Sequence, residues 1–144
     1  MIAVKAIIEK VVQVLGEKYP TFDIYLHNMP ENISNPSFNI YLDADRSEDN
    51  NRLQTNETTS IGIYYCPPAQ VEPLEDEMTH IGVYSTVKNV FRRGYFEVGG
   101  RALKVVLIRG GKQNNGIYII VKLVYSDERP SNEEAYELMG EVKL

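Results

Sequence analysis

The sequence predicts a single α+β domain over residues 1–144, in which a mostly antiparallel or mixed β-sheet is packed by an N-terminal helix and a middle helix. Three patterns support this fold class. Apolar residues recur at helical spacing near the N-terminus, aliphatic residues alternate with polar or aromatic ones in the first half, and a glycine-rich hairpin precedes a strongly apolar strand in the last third. A chain of this length buries roughly 70% of its unfolded surface, which is enough for one core.

The first predicted element is an amphipathic helix over residues 2–18. At about 100° per residue, its apolar side chains fall on one face: Val4, Ile8, Val11 and Leu15. Pro20 follows, and a proline cannot continue a helix because it lacks the backbone N–H. The helix is therefore expected to end before residue 20 and to pack its apolar face against the sheet.

Three strands are expected next, at about 21–27, 37–43 and 58–65. In each of them, aliphatic residues alternate with a second set that includes a tyrosine, so one set faces a core and the other faces the opposite side of the sheet. The tyrosines of the second set are Tyr25, Tyr41 and Tyr64. Tyrosine is enriched at protein–protein interfaces because its ring is apolar and its hydroxyl is polar. This side of the sheet is therefore predicted to contact a protein partner.

Between the second and third strands, residues 43–57 are polar apart from Ala44 and Leu53. Such a segment buries too little apolar area to offset the entropy of ordering it. It predicts a long exposed loop that is mobile in the free subunit and becomes ordered on assembly.

The middle helix is expected at about 73–92, with Pro73 in its first turn. The acidic residues around its N-terminus suit the helix dipole: Glu72, Glu75, Asp76 and Glu77. Its apolar residues point in two directions that change at Gly82: Leu74, Met78 and Ile81 in one, and Val83, Tyr84, Val87, Val90 and Phe91 in the other. Either the helix bends at Gly82 or its two halves are buried against different surfaces.

The last third predicts a hairpin of residues 94–98 and 101–109, a glycine- and asparagine-rich loop at 110–116, and a strand at 117–125. Both sides of that strand are largely apolar, which predicts a central position in the sheet. The C-terminal tail, about 127–144, is expected to hold a short helix within 131–144.

Composition excludes several classes of protein. The chain has 15 Lys+Arg against 20 Asp+Glu and a formal charge of −5, which disfavours sequence-independent nucleic-acid binding. Its apolar runs are too short for a membrane span, and its N-terminus does not resemble a signal peptide. Cys66 is the only cysteine, which excludes an intrachain disulfide and fits a reducing compartment. The protein is expected in the cytoplasm.

The candidate chemistry is weak throughout. Asp43–Asn51 begins like a calcium loop, but Glu48 stands where a glycine is needed. Gly110-Gly111-Lys112 lacks the first glycine of a phosphate-binding loop. His80 lies one helical turn past Asp76, which suggests a surface pair. We therefore expect no catalytic residues, no cofactor and no bound metal.

Three short motifs carry a resemblance to a known family: Asp23-Ile24-Tyr25, Pro36–Leu42 and Ile61–Pro67. Together with the order of the predicted elements, they resemble small tail-terminator (tail-completion) proteins of long-tailed bacteriophages and related prophages of Gram-positive bacteria. The resemblance implies an α+β subunit of a homo-hexameric ring that ends the tail tube. Its implied partners are itself, the major tail tube protein and the head connector, and its implied locations are the host cytoplasm during assembly and then the head-proximal end of the tail in the virion.

A ring subunit needs different surfaces for its two neighbours. The candidate interface residues come from the tyrosine-bearing strands and the middle helix: Tyr25, Tyr41, Tyr64, Tyr84, Val87, Phe91 and Tyr118. An acidic ring would also let DNA pass without sticking. Two alternatives stay open, namely a cytoplasmic adaptor that binds a protein at a sheet edge and a different head–tail joining protein such as a stopper.

Overall fold

The computed structural model describes residues 2–30, 33–68 and 73–128. Within these ranges the chain forms two helices and six strands, which confirms the α+β prediction. Their bounds, in chain order, are α1 Val4–Lys18, β1 Asp23–Leu26, β2 Ser37–Asp49, β3 Gln54–Cys66, α2 Pro73–Phe91, β4 Tyr95–Val98, β5 Arg101–Gln113 and β6 Gly116–Glu128. The helix expected within 131–144 lies outside the described residues.

The six strands form one mixed sheet in the order β1-β2-β3-β6-β5-β4. Only β1 and β2 are parallel, and the other neighbours are antiparallel. β6 lies between β3 and β5, so the central position predicted from its two apolar sides is correct.

The core lies between the two helices and one face of the sheet. The predicted alternation is confirmed there, because Phe38, Ile40, Ile61, Ile63 and Tyr65 are all buried. α1 covers them with one face: Ile7, Ile8, Val11 and Leu15. At one end of the sheet an aromatic cluster closes the core, with ring centroids 4.5 to 5.9 Å apart: Tyr19, Phe22, Phe38 and Tyr65.

The loop predicted at 43–57 is wrong. β2 continues to Asp49 and β3 begins at Gln54, so most of this segment is a long hairpin. β6 pairs along it as far as Gln54 opposite Glu128. The side chain of Asn51 shapes the turn by accepting hydrogen bonds from the backbone N–H groups of Leu53 (2.8 Å) and Gln54 (2.9 Å). We call residues 43–60, together with residues 122–128 of β6, the polar arm.

The loop predicted at 110–116 is also shorter than expected. β5 runs to Gln113, and the turn is made by Asn114, in the left-handed region with φ 54°, and Asn115. Gly110 lies within β5, and a glycine is needed at this position because the ring of Tyr84 packs over it. A β-carbon at Gly110 would lie 2.5 Å from that ring and 2.4 Å from the carbonyl oxygen of Tyr118. Here glycine allows a helix to approach a strand closely and does not mark a loop.

α2 is unbroken through Gly82. Its second half packs into the core through Val83, Val87 and Phe91. In its first half, Met78 and Ile81 are 64% and 59% exposed. We call these two residues the α2 strip. The two apolar directions of the sequence therefore separate into one buried face and one face that the isolated subunit leaves open.

Candidate assembly surfaces

The side of the sheet opposite the helices carries two rows of side chains that cross several strands. In the first row, Tyr25 is opposite Asn39, which pairs with Tyr64, and Tyr64 pairs with Tyr118. In the second, Tyr41 is opposite Gly62, Gly62 is opposite Ile120, and Ile120 is opposite Arg109. The register thus places four of the seven candidate interface residues on one surface. We call it the tyrosine face: Tyr25, Tyr41, Tyr64, Tyr118, Ile120 and Arg109.

Glycines set how the rings of the tyrosine face pack. The ring of Tyr41 lies over Gly62, where a β-carbon would come within 2.2 Å of it. The Tyr64 hydroxyl donates a hydrogen bond of 2.9 Å to the carbonyl oxygen of Gln113. Partial burial raises the pKa of both phenols, and the carboxylate of Asp43 raises the pKa of Tyr41 further. Both hydroxyls therefore stay protonated at neutral pH and are available as hydrogen-bond donors or acceptors.

Ile120 is 5% exposed although it lies on the tyrosine face and outside the main core. The tyrosine face therefore has an apolar floor with half-buried rings around it. An amphipathic surface of this kind is typical of the centre of a protein–protein interface.

The other three candidate interface residues lie on the helix side of the sheet. Val87 is fully buried and Phe91 is 1% exposed, so both side chains belong to the core. They cannot face a partner while the subunit is folded, so the prediction that these two side chains belong to the interface is wrong. Tyr84 is half-buried over Gly110 and has Lys88 above its ring, 5.9 Å from the centroid. The exposed apolar surface of α2 is instead the α2 strip.

The polar arm extends β2, β3 and β6 beyond the part of the sheet that the helices cover. Its order comes from side-chain hydrogen bonds as well as from the backbone ladder. Thr59 donates to Asp45 at 2.8 Å and lies 3.2 Å from the Tyr125 hydroxyl, and Ser47 donates to Glu57 at 2.7 Å. The arm is thus an ordered structural element. Its residues 43–57 have no buried side chain, whereas Thr59, Leu123 and Tyr125 are buried.

Asp127 lies in the polar arm and is 6% exposed. Its carboxylate accepts hydrogen bonds from the backbone N–H of Ile2 at 3.0 Å and from the guanidinium of Arg101 at 3.3 Å. Arg101 also donates to the carbonyl oxygen of Ser126. One buried carboxylate therefore joins the chain start, the β4–β5 hairpin and the end of β6.

The surfaces contain little that could perform chemistry. Among the described residues, no group of three or more His, Cys, Asp or Glu side chains could hold a metal ion. The calcium-like segment from Asp43 is largely extended strand and does not wrap around a point in space. His80 is not the surface residue that the sequence suggested. It is 3% exposed, and its ring meets Tyr65 edge-on with 5.4 Å between centroids.

The expected pairing of His80 with Asp76 involves a side chain outside those described. Within the described chain, no helix is both long and apolar enough to cross a membrane.

An α+β subunit with two amphipathic surfaces and a polar arm fits the class of structural assembly proteins. Residues 6–135 match the phage tail terminator protein family. This chain therefore belongs to the phage tail terminator family, which confirms the family, though not the Gram-positive origin, of the resemblance drawn from the three short motifs.

One solved structure is similar over 88% of this chain and 93% of its own, with 12% identity and a TM-score of 0.46. No match was found among proteins of curated function.

Proposed function

We propose that this protein closes into a homo-hexameric ring at the head-proximal end of a phage tail. There it stops growth of the tail tube and offers a docking face to the head connector. The observation that carries the proposal is the family match over residues 6–135, which makes the protein a structural component of the virion tail. The subunit would assemble in the host cytoplasm, and its protein partners would be its own copies, the major tail tube protein and the head connector.

Two exposed surfaces support a role in assembly. The α2 strip leaves Met78 and Ile81 exposed close together on one helix, where they can contact a partner. The tyrosine face lies on the other side of the sheet, so one subunit can present different surfaces to its two neighbours, as a cyclic interface requires. The acidic balance of the chain, with a formal charge of −5, suits a ring through which DNA passes without base-specific contacts.

Deletion of the gene tests the proposed function directly. Particles without the protein should carry tails of uncontrolled length that fail to join heads, as seen by electron microscopy. A plasmid copy should restore normal particles. Tails of normal length joined to heads in the deletion strain would refute the terminator role and favour the adaptor. Tails of normal length that fail to join heads would favour a stopper.

The tyrosine face is tested by Tyr41→Ala. Loss of a central interface aromatic often costs roughly 2 kcal/mol or more of binding free energy, so sedimentation should show weaker assembly of a subunit that still folds. Tyr95→Ala is the matched control, since Tyr95 is 58% exposed and lies on the short strand β4. Equal assembly of Tyr41→Ala and wild-type protein would remove Tyr41 from the interface.

A further inference from the structure

The sheet has two long edges that its own strands leave unpaired. β1 pairs with β2 only from Ser37 to Ile40, so among the described residues the outer edge of β2 has no neighbouring strand from Tyr41 to Asp49. β4 pairs with β5 only up to Lys104, and Val105 donates one more bond to the carbonyl oxygen of Gly94. Beyond that point, from Val106 to Gln113, the outer edge of β5 likewise has no neighbouring strand among the described residues.

The two free edges carry opposite charge. The free part of β2 is acidic, with one basic residue among its charges: Asp43, Asp45, Arg46, Glu48 and Asp49. The free part of β5 carries Arg109 and Lys112 and has no acidic residue. Each edge also exposes apolar side chains, because Leu42 is 38% exposed and Val106 and Leu107 are 44% and 45% exposed. A long unpaired edge with exposed apolar residues is a template for pairing with another strand.

We propose that the free edge of β5 in one copy pairs with the free edge of β2 in the next copy, so that the sheets of neighbouring subunits join. β2 and β5 run in opposite directions within the sheet, since each of the three intervening pairings is antiparallel. Copies placed side by side by rotation about one axis therefore meet as an antiparallel pair. This contact is heterologous, and a heterologous contact repeated around one axis gives a ring when its rotation closes. It deepens the proposed function and depends on the ring described there.

The positions of the free edges set the geometry of the contact. Most of the free part of β2 belongs to the polar arm, whereas the free part of β5 lies toward the end where β6 begins. Joined copies are therefore shifted along the strand direction. A closed sheet accommodates such a shift when its strands are tilted relative to the ring axis, as in β-barrels.

The same contact accounts for the exposed apolar strip on the helix side. Lys112 on β5 donates a 2.8 Å hydrogen bond to Glu77, which holds the first half of α2 beside the free edge of β5. On that helix Met78 is the next residue and Ile81 lies one turn beyond Glu77. A neighbouring β2 edge with its exposed Leu42 would cover them, while Tyr41 lies at the start of that edge on the tyrosine face.

Exchange of charge between the two edges tests the pairing. Variant one carries Glu48→Lys and Asp49→Lys on β2, and variant two carries Arg109→Glu and Lys112→Glu on β5. Each variant alone opposes like charges at every contact, so each should restore head-joined particles to the deletion strain at least about tenfold less well than wild type. Expressed together they should restore particles to within a few fold of wild type, because every contact between unlike variants again joins opposite charges.

The control variant Arg92→Glu and Arg93→Glu changes as much charge away from both edges and should assemble normally. Thermal unfolding checks that each variant folds. Wild-type activity of either variant alone, or failure of the folded mixture, overturns the pairing.

Chemical linking separates failure of this contact from failure of the proposed function. In a Cys66→Ser background, one chain carries Ser47→Cys on β2 and another carries Leu107→Cys on β5. A short bismaleimide reagent applied to concentrated protein should link unlike chains at least about tenfold more than like chains, because the contact is heterologous. Lys5→Cys, on the outer face of α1, is the control and should give no more than background linking. Equal linking of like and unlike chains, or no linking above the control, overturns the edge contact whether or not the deletion alters tail length.

Discussion

The two halves of β2, β3 and β6 belong to the same paired strands, with one register shift between Leu42 and Ala44, but are stabilised by different interactions. In the half that the helices cover, Phe38, Ile63 and Ile119 are fully buried, so removal of apolar area from water provides most of the stability. In residues 43–57 of the polar arm no side chain is buried, and order there depends on backbone pairing and hydrogen bonds such as that from Thr59 to Asp45. Strands can therefore stay paired without an apolar face when they continue from a well-packed part of the sheet.

The largest difference is expected from Ile63→Ala in the covered half. The side chain is fully buried, and truncation leaves a cavity among well-packed neighbours, so the free energy of unfolding should fall by about 2–5 kcal/mol. Arg46→Ala is the matched change in the arm, where the side chain is exposed, and it should alter stability by no more than about 0.5 kcal/mol. Denaturant unfolding measures both. Equal effects would show that the arm and the covered half are stabilised alike.

A smaller effect is expected from Asp127→Ala. The substitution leaves the backbone N–H of Ile2 and the guanidinium of Arg101 without their carboxylate partner, and the free energy of unfolding should fall by about 1–3 kcal/mol. Hydrogen exchange should also become faster in the β4–β5 hairpin and in residues 2–6. Glu48→Ala, which removes an exposed carboxylate from the same arm, serves as the control. A loss confined to the arm would show that Asp127 does not join it to the rest of the sheet.

Thr59→Val tests the hydrogen bonds inside the arm. Valine keeps the shape of threonine but removes the hydroxyl that bonds to Asp45 and lies beside the Tyr125 hydroxyl. We expect a loss of about 1 kcal/mol in unfolding free energy. Thr58→Val, at the neighbouring and less buried position, should change stability less. If both valines stabilise the protein, β propensity outweighs the hydroxyl contacts in this arm.

The smallest effect concerns pH. The hydrogen bond from Lys112 and its positive charge lower the pKa of Glu77. A carboxyl group whose pKa is lower in the folded state stabilises that state above its unfolded pKa, roughly 4.3, and loses this contribution as pH falls through the folded value. The contact between α2 and β5 should therefore weaken only under acidic conditions. NMR titration measures the pKa of Glu77, and in Glu77→Gln the contact between α2 and β5 should no longer depend on pH. A midpoint at or above the ordinary glutamate value would contradict the prediction.

The contrast between the two halves also explains what the sequence could predict. Alternation identified the covered strands because one face of each is apolar, as with Ile61 and Ile63. Residues 43–57 of the arm have no such face, so this part of the backbone was predicted as a loop. Gly110 was predicted to lie in a loop because the reason for a glycine there, the contact with Tyr84, involves a helix that is distant in sequence. Burial of His80 likewise depends on Tyr65, which lies in another element. Alternation along the strands did predict that the four tyrosines lie on one side of the sheet, since each of them is next to residues that face the core.

The ring of Tyr41 and the space left by Gly62 form one unit of two residues on different strands. A side chain at Gly62 requires the ring to move, whereas loss of the ring leaves a shallow hollow that a methyl group can fill. Substitutions at contacting positions of this kind are not additive, and the second change can compensate for the first. During divergence of related sequences, these two positions should therefore change together. A large aromatic residue at one position is compatible only with the smallest residue at the other.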